Sequence, residues 1–260
     1  MTATSPRSPD LFRLDGKAAI VTGGGRGLGR AMAVALAEAG ADVVVVARRR
    51  DDLQQTVKAV QAAGRRAYSV AGDVTDPQVA PHAVEAALRE LGRLDILVNN
   101  AGLYHMQALE ETSLEDWRRV LDVNLVGSFL FCKAAGPVFL RQRSGKVVNV
   151  SSVLGRVGVP QATAYCAAKG GTILFTRSLA AEWAPHGIGV NCIAPGLFNT
   201  DMSKGVFENA DFYASIVAGI PRGRHGEPQD LAGTVVYLCS AASDHMIGQV
   251  LHVDGGSSIA

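Results

Sequence analysis

The chain of 260 residues balances 25 Lys+Arg against 24 Asp+Glu, and 48% of it is hydrophobic. A formal charge of +1 offers no bulk field to gather nucleic acid or an anionic membrane, so neither is expected as a partner. Cys132, Cys166, Cys192 and Cys239 are scattered without C-x-x-C spacing, which excludes a disulfide framework or a metal site and reads as reduced core thiols.

The opening MTATSPRSPD is polar and proline-containing, so residues 1–13 are expected as a flexible tail and not a signal peptide. KAAIVTGGG then reads as a buried strand running into a glycine turn, and GRAMAVALAEAG as a helix stopped by Gly40. ADVVVVA is a second strand and DDLQQTVKAVQAAG a second helix. RAYSVAGDV, PHAVEAALRELG, LDILVNNAG, WRRVLDVNLVGSFLFCKAAGPVFL, GKVVNVSS, TAYCAAKGGTILFTRSLAAEW, IGVNCIAPG and GQVLHVDGG continue the alternation. Short Val/Ile/Leu runs between longer helical segments mean parallel strands buried on both faces, hence an α/β single domain over residues 14–260 with a doubly wound parallel sheet. The connection over residues 197–226 is long enough to be a lid or binding loop. The longest apolar stretch, Asn124 to Leu140, is interrupted by Lys133 and Pro137, so no transmembrane helix is expected and the protein is expected to be cytoplasmic.

Two stretches carry chemistry. TGGGRGLG, Thr22 to Gly29, departs from G-x-G-x-x-G because Arg30 stands where the last glycine would be, but it fits G-x-x-x-G-x-G with Gly23, Gly27 and Gly29. Glycines that close a first strand and open a first helix allow the backbone N–H groups to approach a pyrophosphate. In TAYCAAKGG, Tyr165 and Lys169 fall one turn apart on one helix face. Taken alone, that pair is either a tyrosine packed on a lysine stem or a phenol held beside a cation.

The ordered set TGGGRGLG, GDV, NNAG, VNL, NVSS, YCAAK, PGLFNT and VDGG resembles the short-chain dehydrogenases/reductases in their compact single-domain form, with its Rossmann-like fold. The resemblance implies hydride transfer between a nicotinamide cofactor and a ketone or secondary alcohol. Tyr165 is implied as general acid/base, with Lys169 stabilising its phenolate, Ser152 (Ser151 being the rival) hydrogen-bonding the substrate oxygen, and Asn124 holding a water in a proton relay. Cofactor contacts are implied at Gly23, Arg26, Gly27, Leu28, Gly29, Arg48, Asp73, Val74, Asn100, Gly102, Tyr165, Lys169, Pro195, Gly196 and Thr200. The second strand ends at Ala47 where an acidic residue would favour NAD(H). Arg48 follows it and Arg26 sits in the turn, so NADP(H) is favoured and NAD(H) is possible. The alternative for Arg48, Arg49 and Arg50 is a solvated basic corner.

A small-molecule carbonyl or alcohol is the expected partner, with a largely apolar wall from Tyr104, His105, Met106, Leu154, Val159, Gln161, Phe198, Met202 and Phe207. These side chains suit a moderately hydrophobic ketone; equally, they pack the loop down. Within the family the chain resembles the 3-oxoacyl-carrier-protein reductase and gluconate 5-dehydrogenase branches. Arg143 matches one carrier-docking arginine, whereas the other position holds His186. An NAD(H)-dependent sugar-acid or polyol dehydrogenase and a non-catalytic dinucleotide sensor are the alternatives. The resemblance also implies a homotetramer or homodimer, with Phe131, Phe139, Leu174, Phe175 and Leu179 expected on the outward faces of the two pairing helices.

Overall fold

Strands β1 (Ala18–Thr22) and β2 (Asp42–Ala47) are buried at nearly every position, the pattern of strands covered on both faces. In the computed structural model, which describes residues 8–259, they lie in one sheet with β3 (Ala67–Ala71), β4 (Ile96–Asn99), β5 (Gly145–Val150), β6 (Ile188–Pro195) and β7 (Val250–Val253). All seven run parallel in the order β3-β2-β1-β4-β5-β6-β7. The helices are α1 (Gly27–Glu38), α2 (Arg50–Ala62), α3 (Val79–Ala86), α4 (Leu114–Leu121), α5 (Gly127–Gln142), α6 (Thr163–Trp183), α7 (Lys204–Phe207), α8 (Ala210–Ala218) and α9 (Ala232–Cys239). The chain is thus an α/β, Rossmann-like, doubly wound fold.

Alternation along each strand feeds two cores. Ala18 and Ile20 of β1 face Phe131, Phe139 and Trp183 on one side, while Ala19 and Val21 face Met32, Leu36 and Val235 on the other. The strand order reverses between β1 and β4, and a crevice opens beyond their carboxyl ends, where such folds bind ligands. The glycine turn after β1 and the first turns of α6 both open onto it.

Three expectations need correction. Pro137 does not interrupt the long apolar helix: α4, a π-type stretch at Asp122–Val126, and α5 run on as one helix, Leu114–Gln142. Burying Phe131 and Phe139 completely contributes about 1.5–3 kcal/mol each, which offsets the roughly 3 kcal/mol cost of an interior proline. By length and composition this helix could cross a membrane, but 50% of its most apolar window is buried inside the domain. Second, the same burial removes Phe131, Phe139 and Leu179 from the outward face; Leu174 does point out, joined by Val126 and Phe129. Third, the part of the expected tail that is described, from Ser8, is folded: Ser8–Phe12 form a 3-10 turn and the Phe12 ring lies 6.2 Å from that of Tyr237. Residues 1–7 of that tail lie outside the described residues.

Candidate active site

The turn after β1 holds its shape through glycine. Gly23 (φ +62°) and Gly27 (φ +51°) occupy the left-handed region. A Cβ on Gly29 would strike the Gly23 carbonyl and come within 2.5 Å of Asn100 Nδ2. Thr22 Oγ1 accepts from the backbone N–H groups of Asn100 (3.0 Å) and Ala101 (3.1 Å), and Asn100 Nδ2 donates to the Thr22 carbonyl at 3.0 Å. Asn100 therefore ties the ends of β1 and β4 together. Arg30, which breaks the literal glycine fingerprint, is explained by its guanidinium, which grips the Gly25 carbonyl (Nε at 3.0 Å) and Gln55 Oε1 (3.0 Å) and so locks the turn to α2. The N-cap of α1, Arg26, supplies no side-chain hydrogen bond, so the first N–H groups of this 12-residue helix face the crevice uncapped. The cradle fits a dinucleotide pyrophosphate: a Cβ would fill it, and the free donors suit an anion.

At the other end of the crevice α6 begins. Tyr165 and Lys169 are both buried there, and Lys169 Nζ lies 5.6 Å from the centre of the Tyr165 ring. Burial raises the Tyr165 phenol above its ordinary range, and the adjacent Ser152 hydroxyl works against that rise. Burial lowers Lys169 to about 8. Its ammonium donates to the Val150 carbonyl at 2.9 Å. Ser151 Oγ donates to the Lys169 carbonyl at 2.8 Å, so the rival serine is committed to the helix backbone. Ser152 Oγ accepts from Leu154 N at 3.1 Å and lines the cavity beside Tyr165.

Asn124 sits behind this group, in the π-type stretch, a register that recurs at functional sites. Its Nδ2 donates to the carbonyls of Leu103 (2.7 Å) and Val120 (2.9 Å), and its Oδ1 accepts from Leu103 N at 3.3 Å. It does not line the cavity itself. A Cβ on Gly102 would meet Asn124 Oδ1 at 3.0 Å and Lys169 Nζ at 3.7 Å, which places both groups against that one glycine.

One cavity of about 1630 Å³ joins the two ends, larger than the ~300–1,000 Å³ of a drug-sized pocket and able to take a dinucleotide with a second molecule. Gly23, Arg26, Gly27, Leu28, Gly29, Arg48, Asp73, Val74, Asn100, Gly102, Pro195, Gly196 and Thr200 all line it. So do Tyr104, Leu154, Gln161, Phe198 and Met202. His105 does not: its Nε2 pairs with Gln107 Oε1 at 3.0 Å, beside the cavity. Phe207 is also displaced, stacking edge-on against His225 at 4.9 Å. Both arginines singled out for a 2′-phosphate have carboxylate neighbours, Arg26 with Asp201 at 2.6 Å and Arg48 with Asp73 at 3.8 Å. Among the described residues no cluster of His, Cys, Asp and Glu has metal-site geometry.

The family model described as enoyl-(acyl carrier protein) reductase matches residues 23–258. The chain belongs to the short-chain dehydrogenase/reductase family. It is an oxidoreductase acting on CH–OH groups. Among curated relatives of this dehydrogenase/reductase, a 2-dehydro-3-deoxy-D-gluconate 5-dehydrogenase of Dickeya dadantii is 41% identical over 95% of this chain and 97% of its own. A 3-oxoacyl-[acyl-carrier-protein] reductase of Synechocystis is 39% identical over 95% of this chain and 98% of its own. A crystal structure of a gluconate 5-dehydrogenase from Burkholderia cenocepacia, in complex with NADP and tartrate, superposes with a TM-score of 0.93 at 35% identity, covering 98% and 100% of the two chains.

Sequence reasoning passed over several supports of this site. Asn99 Nδ2 donates to Asn149 Oδ1 (2.9 Å) and Asn149 Nδ2 to Thr176 Oγ1 (2.9 Å), a buried polar chain that bolts β4 and β5 to α6. Asn99 and Asn149 stand inside the NNAG and NVSS motifs, which was the available signal. Thr176 carried none.

Proposed function

We propose that this oxidoreductase interconverts a ketone and a secondary alcohol with NADP(H), using Tyr165 as general acid/base. The observation that carries the reading is the buried Tyr165–Lys169 pair, opening with Ser152 onto the cavity that begins at the glycine turn. The nicotinamide cofactor, when bound, supplies or accepts the hydride. The N–H groups at the start of α1 would hold its pyrophosphate, Arg26 and Arg48 would pair with the 2′-phosphate, and Thr200 abuts the turn across from Gly27.

During reduction Ser152 donates a hydrogen bond to the substrate oxygen and Tyr165 gives it a proton. A buried phenol is a reluctant acid, so the phenolate left behind needs a cation, and Lys169 is one turn away. Asn124, fixed by Leu103 and Val120, positions the water that returns a proton toward Lys169. Proton transfer of this kind contributes about 10²–10⁴-fold, and positioning supplies the remainder.

The same reading has the chain in the cytoplasm as a homotetramer or homodimer, pairing through the exposed Val126, Phe129 and Leu174 of α5 and its neighbours. The sugar-acid dehydrogenases among the relatives favour a second reading, in which the substrate is a keto sugar acid. Initial rates with NADPH and NADH over a ketone panel test the cofactor assignment. NADPH should be preferred, and Arg26→Ala or Arg48→Ala should each cut that preference about tenfold, the worth of one charge-assisted pair. Equal use of both cofactors by the unmodified enzyme contradicts it.

A further inference from the structure

Resting on that reading of the site, we propose that the substrate is an uncharged, largely apolar ketone and not a sugar acid. The wall around Tyr165 is the first reason. Leu103, Tyr104, Leu154 and Val159 pack against the cluster that contains Tyr165, and the Tyr104 ring meets the Tyr165 ring edge-on at 4.8 Å. A polyol chain laid against Leu103, Leu154 and Val159 would bury hydroxyl groups without partners there, and each such group costs about 1–3 kcal/mol.

The mouth is the second reason. Met106, Val157, Met202 and Phe212 all line the cavity, and each is 41–48% exposed. Four large apolar side chains converging from separate segments onto one opening leave a surface that an apolar ligand would cover.

Charge is the third. Among the described residues lining the cavity, the cations besides Lys169 are Arg26, Arg48, Arg49, Arg118 and Arg119. Arg26, Arg48 and Arg49 stand at the glycine-turn end, each beside a carboxylate, and Arg118 and Arg119 are solvent-exposed on α4. The side of α4 that packs toward Tyr165 carries Trp117, Val120 and Leu121. Lys169 is committed to the Val150 carbonyl and the phenol. A substrate carboxylate placed beside Tyr165 would therefore have no free cation next to it, Arg118 and Arg119 standing at the solvent edge, and its desolvation there is a cost that the wall does not offset. Of the two neutral amides lining the cavity, Asn100 is tied to the Thr22 carbonyl at the glycine-turn end, and Gln161 sits in a turn at φ +66° whose main-chain carbonyl accepts from Gln107 N at 2.8 Å.

The test compares an ionised aryl ketone with its uncharged ester, 4-oxo-4-phenylbutanoate and its ethyl ester, with 5-keto-D-gluconate as the sugar acid. With NADPH and the full-length enzyme, kcat/KM for the ester should exceed that for either acid at least tenfold. An acid that equals or beats the ester overturns the inference. If none is reduced, the catalytic reading has failed, and the same three compounds are titrated calorimetrically into the enzyme–NADPH complex. There, preferential binding of the ester supports the apolar site, and preference for an acid, or binding of none, overturns it.

Discussion

The two ends of the cavity are built from different material. At the glycine-turn end the cavity wall is backbone: Gly23 and Gly29 leave no room for side chains, Gly27 is left-handed, and Arg30 and Asn100 lock the loop from behind. At the other end the wall is made of side chains on short, surface-lying elements, with Met202 of the 3-10 turn Asp201–Ser203 and Phe212 of α8 nearly half exposed. A backbone cradle has few solutions and tolerates little change; a wall of side chains has many. The first end should therefore fail under small substitutions that the second absorbs.

Gly29→Ala sharpens this most. The added methyl group has only the Gly23 carbonyl and the Asn100 amide to push against, so overpacking should cost about 3 kcal/mol, roughly 100-fold in the Kd for NADPH. Unchanged affinity in a fluorescence titration would show that the turn yields.

Between the two ends lies Lys169, whose burial lowers it to about 8 from an ordinary 10.5. Below about pH 8 folded and unfolded chains both carry this proton, and the folded state bears the full desolvation cost. From about 8 to 10.5 the unfolded chain keeps a proton that the folded one has lost, so this group's contribution to stability rises with pH across that window. Lys169→Met should remove the rise. Denaturant midpoints of the two proteins, compared across that window, should shift in favour of the wild type as pH increases; a constant difference contradicts the assignment.

Gly205→Ala, in α7, is the smallest expected effect. A Cβ there meets nothing within 4 Å and the backbone is not left-handed. The substitution should stabilise by about 0.5–1 kcal/mol and leave NADPH affinity untouched. A loss of affinity comparable to that of Gly29→Ala would erase the contrast between the two ends.

The same contrast decides what the sequence reveals. The strand–helix alternation and the glycine turn are legible because burial on two faces and close backbone approach each dictate residue type. Tyr165 and Lys169 are legible because helical spacing alone brings them together. Phe131 and Phe139 were misplaced because α5 is apolar almost all round, so its sequence does not say which side meets the sheet. For His105 and Phe207 the sequence leaves open whether they line the wall or pack the loop down, and they pack against Gln107 and His225: a loop's path is set by such tertiary partners, which spacing does not reveal. Arg30 looked like a defect in a motif and is a clamp.

The central claim is that Tyr165 transfers the proton, and Tyr165→Phe tests it most directly. Phenylalanine fills the same buried volume beside Tyr104 and Lys169, so the fold and the glycine-turn end should persist. With a reducible ketone, kcat should fall about 10²–10⁴-fold while the Kd for NADPH stays within about twofold of wild type. A variant that keeps more than a tenth of wild-type kcat would contradict the account.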